Sequence, residues 1–391
     1  MHTQLQYAYA HQEILCVQYS TISRNQGNNM YQSCSFLQRH CFIMRSLSTA
    51  LLLALSSLVS RAHALSVAGD GGKFGQASSA TIDAPVVICP GFGNDSIDYV
   101  EPLKQPSEVG LVSALGRRGI SRVSVVPVAR TDWVRVAGGL FDPNFYLNRA
   151  LPSGGGYGWY LKRLRAAVDE AYEASGGERV ILLGHSAGGW LARAAMGDGT
   201  WDAENGVRAA ERVRCLATIG AIHQPPEDAG TCVTRGALAY TAENYPGDFL
   251  RTEGIGYVSV GGDAIVGNPD KPSADDEQSQ ADQAYAVRGE GSAARVAFTS
   301  YEAVCGEGTV TGDGVVPLEW SRLDGAKHLP LDGVLHSINE AGTTLPTDRW
   351  YGADGVVDRW LPAVLEEAGL SVPSKGFGLE ELFSSIPFFQ R

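Results

Sequence analysis

An apolar run meets a small-residue turn at Val180-Ile181-Leu182-Leu183-Gly184-His185-Ser186-Ala187-Gly188-Gly189-Trp190. The residues before Gly184 predict a buried strand, and the residues after Ser186 predict a helix. A serine between them, in the pattern Gly-x-Ser-x-Gly, is typical of a nucleophile elbow, a tight turn that projects the hydroxyl into a cleft. Glycines let strand and helix approach closely around the strained serine backbone. The alternative is a Gly-rich turn that binds nothing. If Ser186 is a nucleophile, other parts of the chain must supply the base and the acid that activate it.

The remaining chain alternates short β-branched runs with amphipathic stretches, as a mostly parallel sheet requires. The pattern predicts strands at residues 84–89, 121–128, 179–185, 214–219, 257–260 and 327–331. It predicts helices at residues 108–118, 157–174, 187–196, 292–304 and 355–367. We therefore predict an α/β fold over residues 84–370, with a mostly parallel central sheet flanked by helices, and a C-terminal tail at 371–391.

Two segments interrupt this alternation. Residues 136–156, which we call the insert, are bulky and apolar and end in Gly154-Gly155-Gly156. The insert is a candidate cap over the cleft, and the alternative is a surface loop with its own small cluster. Residues 263–290 are acidic and polar and predict an excursion from the fold.

The charge distribution limits the possible partners. The formal net charge is −12, whereas residues 1–64 carry a net +3, so the remainder carries −15. Such a surface repels nucleic acid and anionic headgroups, which argues against a polyanion-binding role. Partners are expected to be small-molecule or lipid esters, and the sequence leaves the oligomeric state open.

The N-terminal segment, residues 1–83, is predicted to be a targeting or disordered region. Residues 44–64 resemble a signal peptide, because Met44-Arg45 precedes an apolar core and Ala62-His63-Ala64 forms an A-x-A cleavage site. The core of about 13 residues is too short to span a bilayer. The acid-poor stretch after it suits a plastid address, and secretion is the alternative. Whether residues 1–43 are translated stays open, since Met44 is a second candidate start.

A serine hydroxyl becomes a good nucleophile only when an imidazole takes its proton and a carboxylate orients that imidazole. In folds with a nucleophile elbow the acid follows the serine and the histidine comes last. The favoured acid is Asp313, because glycines on both sides allow a turn that presents one carboxylate. Asp263, directly after the predicted strand 257–260, is the rival. The alternative for either residue is a turn aspartate that caps a loop.

The base must then be His328 or His336. His336 is favoured because it follows the predicted strand 327–331 in a loop, whereas His328 lies inside that strand and is expected to be satisfied locally. His185 is expected to pack beside the nucleophile. His223 is expected to make a structural hydrogen bond near the cleft wall.

The oxyanion of an acyl-transfer intermediate needs two backbone N–H donors. We predict Ala187, directly after the serine, and Phe92 in the turn Pro90-Gly91-Phe92-Gly93-Asn94. The alternative for the latter is an ordinary βα turn.

The cysteines and histidines show no metal-binding spacing, so neither a metal nor a cofactor is expected. Cys89 and Cys215 lie in apolar runs typical of buried free thiols. Cys232 and Cys305 lie in loop-like surroundings, where pairing in an oxidising compartment stays open. The tail carries apolar residues from Phe377 to Phe389, which suits either docking against the domain or peripheral membrane contact.

Taken together, the motifs resemble the α/β-hydrolase superfamily and, more narrowly, plant and algal esterase/lipase-like hydrolases; GPI inositol-deacylase-like lipases are more distantly similar. The similarity lies in the segments 90–93, 127–133, 184–192, 312–317, 331–337 and 350–352. It implies an α/β-hydrolase fold and the triad Ser186, Asp313 and His336. Cys89-Pro90 departs from the pattern of many lipases, which have His-Gly before the oxyanion donor.

The resemblance implies a serine hydrolase acting on carboxylic esters, with acyl lipids as the expected substrates. Three alternatives stay open: an acyltransferase with the same triad, a GPI inositol-deacylase-like lipase, and a non-catalytic binding protein that keeps the pocket.

Overall fold

The computed structural model describes residues 82–199, 201, 206–228, 232–270, 288–339 and 346–371. The chain divides into two units, residues 1–69 and 70–391, and the described residues belong to the second. The signal-like segment 44–64 and the tail from Phe377 lie outside the described residues, so their targeting and membrane roles stay predictions. Within the described ranges, no helix combines the length and apolar character needed to cross a bilayer.

The centre of the fold is a six-stranded, entirely parallel sheet with the order β2-β1-β3-β4-β5-β8. Parallel neighbours require crossover connections, and the helices between the strands provide them. The strands of this sheet are β1 (Val86–Cys89), β2 (Val123–Val125), β3 (Val180–His185), β4 (Val213–Ile219), β5 (Gly256–Gly262) and β8 (Lys327–Leu331). A separate antiparallel pair is formed by β6 (Ile265–Val266) and β7 (Thr311–Gly312).

Eight α-helices are assigned among the described residues. They are α1 (Leu111–Gly116), α2 (Pro143–Tyr146), α3 (Gly158–Ala174), α4 (Ala187–Gly197), α5 (Ala209–Arg212), α6 (Ala237–Asn244), α7 (Arg288–Cys305) and α8 (Asp354–Glu367). A run of 3-10 helix, Arg130–Phe141, leads into the insert.

Helices cover both faces of the sheet. Because successive side chains of a strand point to opposite faces, β3 contributes Val180 and Leu182 to one cluster and Ile181 and Leu183 to the other. The first cluster packs against α3 and α4, and the second packs against α1 and α8. This arrangement explains why β3 is a continuous apolar run rather than an alternating one. The predicted α/β fold, a mostly parallel central sheet flanked by helices, is confirmed.

Two predicted elements are shorter than expected for backbone reasons. The predicted strand 121–128 is reduced to β2, because β2 is an edge strand and Pro127 has no N–H to donate. The predicted helix 108–118 is reduced to α1, because Gly110 is extended (φ −74°, ψ 151°) and separates it from a short 3-10 turn. The β6–β7 pair was not expected, and β6 lies inside the predicted excursion 263–290.

The cysteine expectations divide. Cys89 and Cys215 are buried free thiols, as predicted, and burial raises the pKa of both. Cys232 and Cys305 are also free, so the pairing left open for them is not present. Each is buried and contacts a local polar group: Cys232 Sγ lies 3.1 Å from Thr234 Oγ1, and Cys305 Sγ donates to the Glu307 carbonyl at 3.1 Å.

Candidate active site

Ser186 occupies a strained turn between β3 and α4. Its backbone has φ 52° and ψ −128°, a conformation that residues other than glycine rarely adopt. Such strain costs on the order of 1–3 kcal/mol and persists only where the surroundings enforce it. The turn is closely packed: a Cβ on Gly188 would lie 2.1 Å from the Cys89 carbonyl oxygen, and one on Gly184 would lie 2.4 Å from Gly189 Cα, so both positions require glycine. The half-buried Ser186 is therefore held at the carboxyl end of the sheet.

Asp313 and His336 form a buried hydrogen-bonded pair. The distance from His336 Nδ1 to Asp313 Oδ2 is 2.8 Å, and the backbone N–H of His336 donates to the Asp313 carbonyl at 2.9 Å. Because an ionised carboxylate only accepts hydrogen bonds, the His336 proton lies on Nδ1 and is donated to Asp313. Nε2 is then unprotonated and can act as the base. The two residues are 1% and 6% exposed, so little water competes for this bond.

The Asp313 carboxylate accepts three further hydrogen bonds. The N–H groups of Val315 and Val316 donate to Oδ1 at 3.0 and 2.7 Å, and the Tyr351 hydroxyl donates to Oδ2 at 2.8 Å. Burial and the neighbouring carboxylate raise the pKa of Tyr351, so its hydroxyl stays protonated and available to donate. These donors compensate the cost of keeping a carboxylate away from water.

The residues that adjoin Ser186 also adjoin this pair. The Ser186 N–H donates to the carbonyl of Ile219, and the next residue, Gly220, has φ +58°. A Cβ on Gly220 would lie 2.8 Å from Asp313 Oδ2 and 3.0 Å from His336 Nδ1. Glycine at position 220 therefore leaves the space that the pair occupies next to the serine turn.

No described residue hydrogen-bonds to the Ser186 hydroxyl, so no hydrogen bond between Ser186 and His336 is formed in this structure. Hydrogen bonds of this kind are often long in ligand-free enzymes and shorten when substrate binds. The arrangement has the three groups that acyl transfer needs, in the order serine, acid, histidine along the chain.

The rival acid, Asp263, has a different contact. Its Oδ1 accepts the N–H of Gly333 at 2.8 Å, in the loop between β8 and His336. Asp263 thus fixes the loop that carries His336, whereas Asp313 contacts the imidazole itself. Two other histidines have partners elsewhere: His328 Nδ1 lies 3.0 Å from Ser259 Oγ, and His223 Nε2 lies 2.9 Å from Thr218 Oγ1. The buried Nδ1 of His223 has no hydrogen-bond partner among the described residues.

The segment Pro90–Asn94, which we call the oxyanion loop, lies against the serine turn. A Cβ on Gly91 would come within 2.7 Å of Ser186 Cβ, so only glycine permits this approach. Among the described residues, no acceptor takes the N–H of Phe92 or of Ala187, and these are the two predicted donors. Neither N–H group is used by another described residue.

Three aromatic side chains anchor the oxyanion loop. Tyr160 donates to the Pro90 carbonyl at 2.8 Å, Trp133 Nε1 donates to the Asn94 carbonyl at 2.8 Å, and the Tyr99 hydroxyl accepts the Gly91 N–H at 3.1 Å. None of these roles was predicted from the sequence. Tyr351 was noted only as part of the segment 350–352, with no role attached. A buried tyrosine gives no local sign of its distant partner.

Burial of neutral histidines makes the stability of the fold sensitive to acid. Burial lowers the pKa of His185 to about 3, and it also lowers the pKa of His223 and His328. The unfolded chain therefore binds protons more readily than the folded one, and stability is lost as pH falls below about 6.5. Between pH 7 and 4.5 we expect His185 alone to account for a loss of about 2 to 3 kcal/mol in the free energy of unfolding.

Urea titrations of the wild type and of His185→Gln over pH 7 to 4.5 measure this effect. This pH window lies above the range in which Asp132 titrates. The hydrogen bond from Arg163 lowers the pKa of Asp132 to about 2. The variant should lose stability with falling pH less steeply than the wild type. Equal slopes would contradict the assignment of the effect to His185.

No family model matches the chain, and no curated protein matches it. Among solved structures, the Bacillus licheniformis lipase BlEst2 in its mature form is 14% identical with a TM-score of 0.42, and the match covers 76% of this chain and 96% of that one. A fungal esterase from Rhizomucor miehei is 13% identical, with a TM-score of 0.32 and coverage of 74% and 76%. RedJ, a thioesterase from Streptomyces coelicolor, is 18% identical, with a TM-score of 0.22 and coverage of 54% and 80%. The α/β fold of this chain is shown by its own strand order and helix layers.

Proposed function

We propose that the protein is a serine hydrolase that cleaves carboxylic esters through an acyl-enzyme on Ser186. The observation that carries the proposal is the buried Asp313–His336 pair beside a serine in a strained turn. A structural turn does not need a serine at positive φ, and backbone strain of this kind is concentrated at active sites. The donors around Asp313 hold its carboxylate against the imidazole.

The chemistry follows from the positions of the groups. Ser186 Oγ attacks the ester carbonyl carbon while His336 Nε2 takes the hydroxyl proton, and Asp313 stabilises the imidazolium that forms. The N–H groups of Phe92 and Ala187 bind the oxyanion of the tetrahedral intermediate. The proton passes from His336 to the leaving alcohol. A water molecule then attacks the acyl-enzyme while His336 takes its proton, and this proton returns to Ser186 Oγ as the acid is released.

A fluorophosphonate probe tests the nucleophile directly. The probe phosphonylates an activated serine and loses fluoride, so labelling requires both the hydroxyl and its base. We expect labelling of the wild type, mapped by mass spectrometry to the peptide that contains Ser186, and none in Ser186→Ala. An unlabelled wild-type protein would contradict the proposal, and so would a label on a different serine.

We further propose that the acyl group is a lipid chain, in line with the resemblance to esterase/lipase-like hydrolases. The support is the set of exposed apolar side chains on the oxyanion loop and in the insert. Phe92 is 57% exposed and its ring lies 5.0 Å from that of Trp133, in the 3-10 run that leads to the insert. Phe141, at the end of that run, is 91% exposed. The neighbouring Leu140, Tyr146 and Leu147 are exposed as well.

A series of p-nitrophenyl esters from acetate to palmitate tests the acyl proposal. If the insert contacts the chain, Phe141→Ser should lower kcat/KM for the long esters by about threefold to tenfold, since each lost apolar contact is worth about 1 kcal/mol, and leave acetate unchanged. Val109→Ser, at an exposed valine outside the insert, is the control and should leave the series unchanged. A Phe141→Ser effect that is equal for all chain lengths would exclude contact with the acyl chain.

The same assays separate hydrolysis from acyl transfer. Adding a primary alcohol and measuring the new ester against the free acid gives the ratio of the two reactions. A protein that forms mostly new ester at low alcohol concentration would be an acyltransferase with the proposed triad.

A further inference from the structure

A series of hydrogen bonds joins the oxyanion loop to the loop of His336, passing next to Ser186. The Gly91 N–H donates to the Tyr99 hydroxyl at 3.1 Å, and the Tyr99 hydroxyl lies 2.8 Å from His185 Nδ1. His185 Nε2 lies 3.0 Å from the backbone carbonyl oxygen of His336. Four residues from three separate parts of the chain are linked in this way, and we call the series the loop-to-base network.

The direction of each bond is fixed by chemistry. A carbonyl oxygen only accepts, so His185 Nε2 carries the proton and donates to His336. His185 Nδ1 is then an acceptor, and the Tyr99 hydroxyl donates to it while accepting from Gly91. Burial keeps both Tyr99 and His185 neutral, because it raises the pKa of the phenol and lowers the pKa of the imidazole.

The neutrality of His185 matters for the ring beside it. The His185 and His336 rings are 4.9 Å apart between centroids, with planes inclined by 36°. In the proposed reaction His336 becomes an imidazolium, and a charged His185 at this distance would oppose it. A neutral His185 can support the backbone of His336 without this repulsion.

We propose that Tyr99 and His185 are positioning residues that hold the oxyanion loop and His336 at a fixed separation on either side of Ser186. This inference rests on the proposed function. There the Phe92 N–H must bind the substrate carbonyl oxygen at the same moment as His336 Nε2 takes the proton of the Ser186 hydroxyl. His336 is held at its N–H and its Nδ1 by Asp313, and its carbonyl is held by His185. On the other side, the Gly91 peptide is held at its N–H by Tyr99 and at its carbonyl by Asn94 N–H at 3.1 Å.

A substitution at Tyr99 should therefore change the position of His336, although Tyr99 has no hydrogen bond to His336 itself. Tyr99→Phe removes the hydroxyl, leaves His185 Nδ1 without a donor and frees the Gly91 N–H. A displacement of about 1 Å in a reacting group can reduce the rate by two orders of magnitude. We expect Tyr99→Phe to lower kcat on the order of tenfold or more, with little change in KM.

Tyr160→Phe is the matched control. Tyr160 is also fully buried and also bonds the oxyanion loop, through the Pro90 carbonyl, yet it makes no bond to His185. The readout is the downfield proton resonance of His336 Nδ1–H in the NMR spectrum, which does not depend on turnover. We expect this resonance to shift in Tyr99→Phe and to stay in place in Tyr160→Phe.

Two substitutions of His185 test the other end of the network. A Gln amide nitrogen can occupy the place of Nε2 and keep the donor to His336, whereas an Asn oxygen can occupy the place of Nδ1 and keep only the acceptor for Tyr99. We expect His185→Gln to retain more activity than His185→Asn, by at least about threefold. This pair also serves if Tyr99→Phe does not fold.

The outcomes are separable. If the His336 resonance stays in place in Tyr99→Phe, or moves equally in Tyr160→Phe, the network does not position His336 and the inference is overturned. If the resonance moves as expected but the wild type neither hydrolyses esters nor takes the fluorophosphonate label, the network stands and the proposed function fails.

Discussion

Ser186→Ala is expected to lower kcat for ester hydrolysis by roughly 10⁴-fold or more, while KM changes by less than about threefold. The change removes only Oγ, so no covalent intermediate can form, and the oxyanion donors and the apolar surface still bind the ester. Alanine keeps the Cβ that meets Gly91, and the backbone strain at φ 52° is the same in both proteins. The expected defect is therefore chemical rather than structural.

The measurement is kcat and KM on a p-nitrophenyl ester, together with thermal unfolding of both proteins. The unfolding temperatures should agree closely, since neither buried area nor hydrogen bonding to the described residues changes. A variant with activity close to that of the wild type would show that a different group attacks the ester. A large drop in unfolding temperature would instead indicate that the hydroxyl has a structural role.

Asp313→Asn is expected to cost about 10³ to 10⁴ in kcat. The Asn amide can donate toward His336 Nδ1, which favours the imidazole tautomer with its proton on Nε2, where the base position must be free. Asparagine also lacks the negative charge that stabilises the imidazolium during attack. The backbone donors of Val315 and Val316 can still find the Oδ1 oxygen, so the turn itself should survive.

Asp263→Asn is the matched control for the same chemical change. Its Oδ1 acceptor for the Gly333 N–H is retained in asparagine, so we expect kcat within about threefold of the wild type. Asp263→Ala, which removes that acceptor, should have an intermediate effect through the loop that carries His336. A severe defect in Asp263→Asn with a mild one in Asp313→Asn would exchange the roles of the two carboxylates.

The two aspartates illustrate where sequence reasoning becomes insufficient. Each directly follows a glycine at the end of a strand, and the sequence favoured Asp313 only because a second glycine, Gly314, follows it. What separates them is the antiparallel pairing of Ile265 with Gly312, which brings the turn at Asp313 back toward the end of the sheet. That pairing joins residues 47 positions apart through two strands of two residues each, too short to leave a recognisable pattern.

The buried hydroxyl and imidazole partners show the same limit. Tyr99 and His185 are 86 positions apart, and His185 and His336 are 151 apart. Sequence alone suggested that His185 packs beside the nucleophile, yet it offered no means of finding the carbonyl to which the ring donates. The roles of Tyr99 and Tyr351 left no local signal, because both stand among mixed polar and apolar residues, where a tyrosine has the same pattern whether or not its hydroxyl is used.

The sequence by itself determined the sheet, the helices that cover it and the serine turn, because strand and helix periodicity and the steric needs of glycine depend on residues close together in the chain. The tertiary structure alone decided which carboxylate meets His336, where Asp263 binds, and how Tyr99 and His185 join the two sides of the site. Those contacts depend on strand register and packing between distant segments, where a displacement of one residue would place a different side chain at each position.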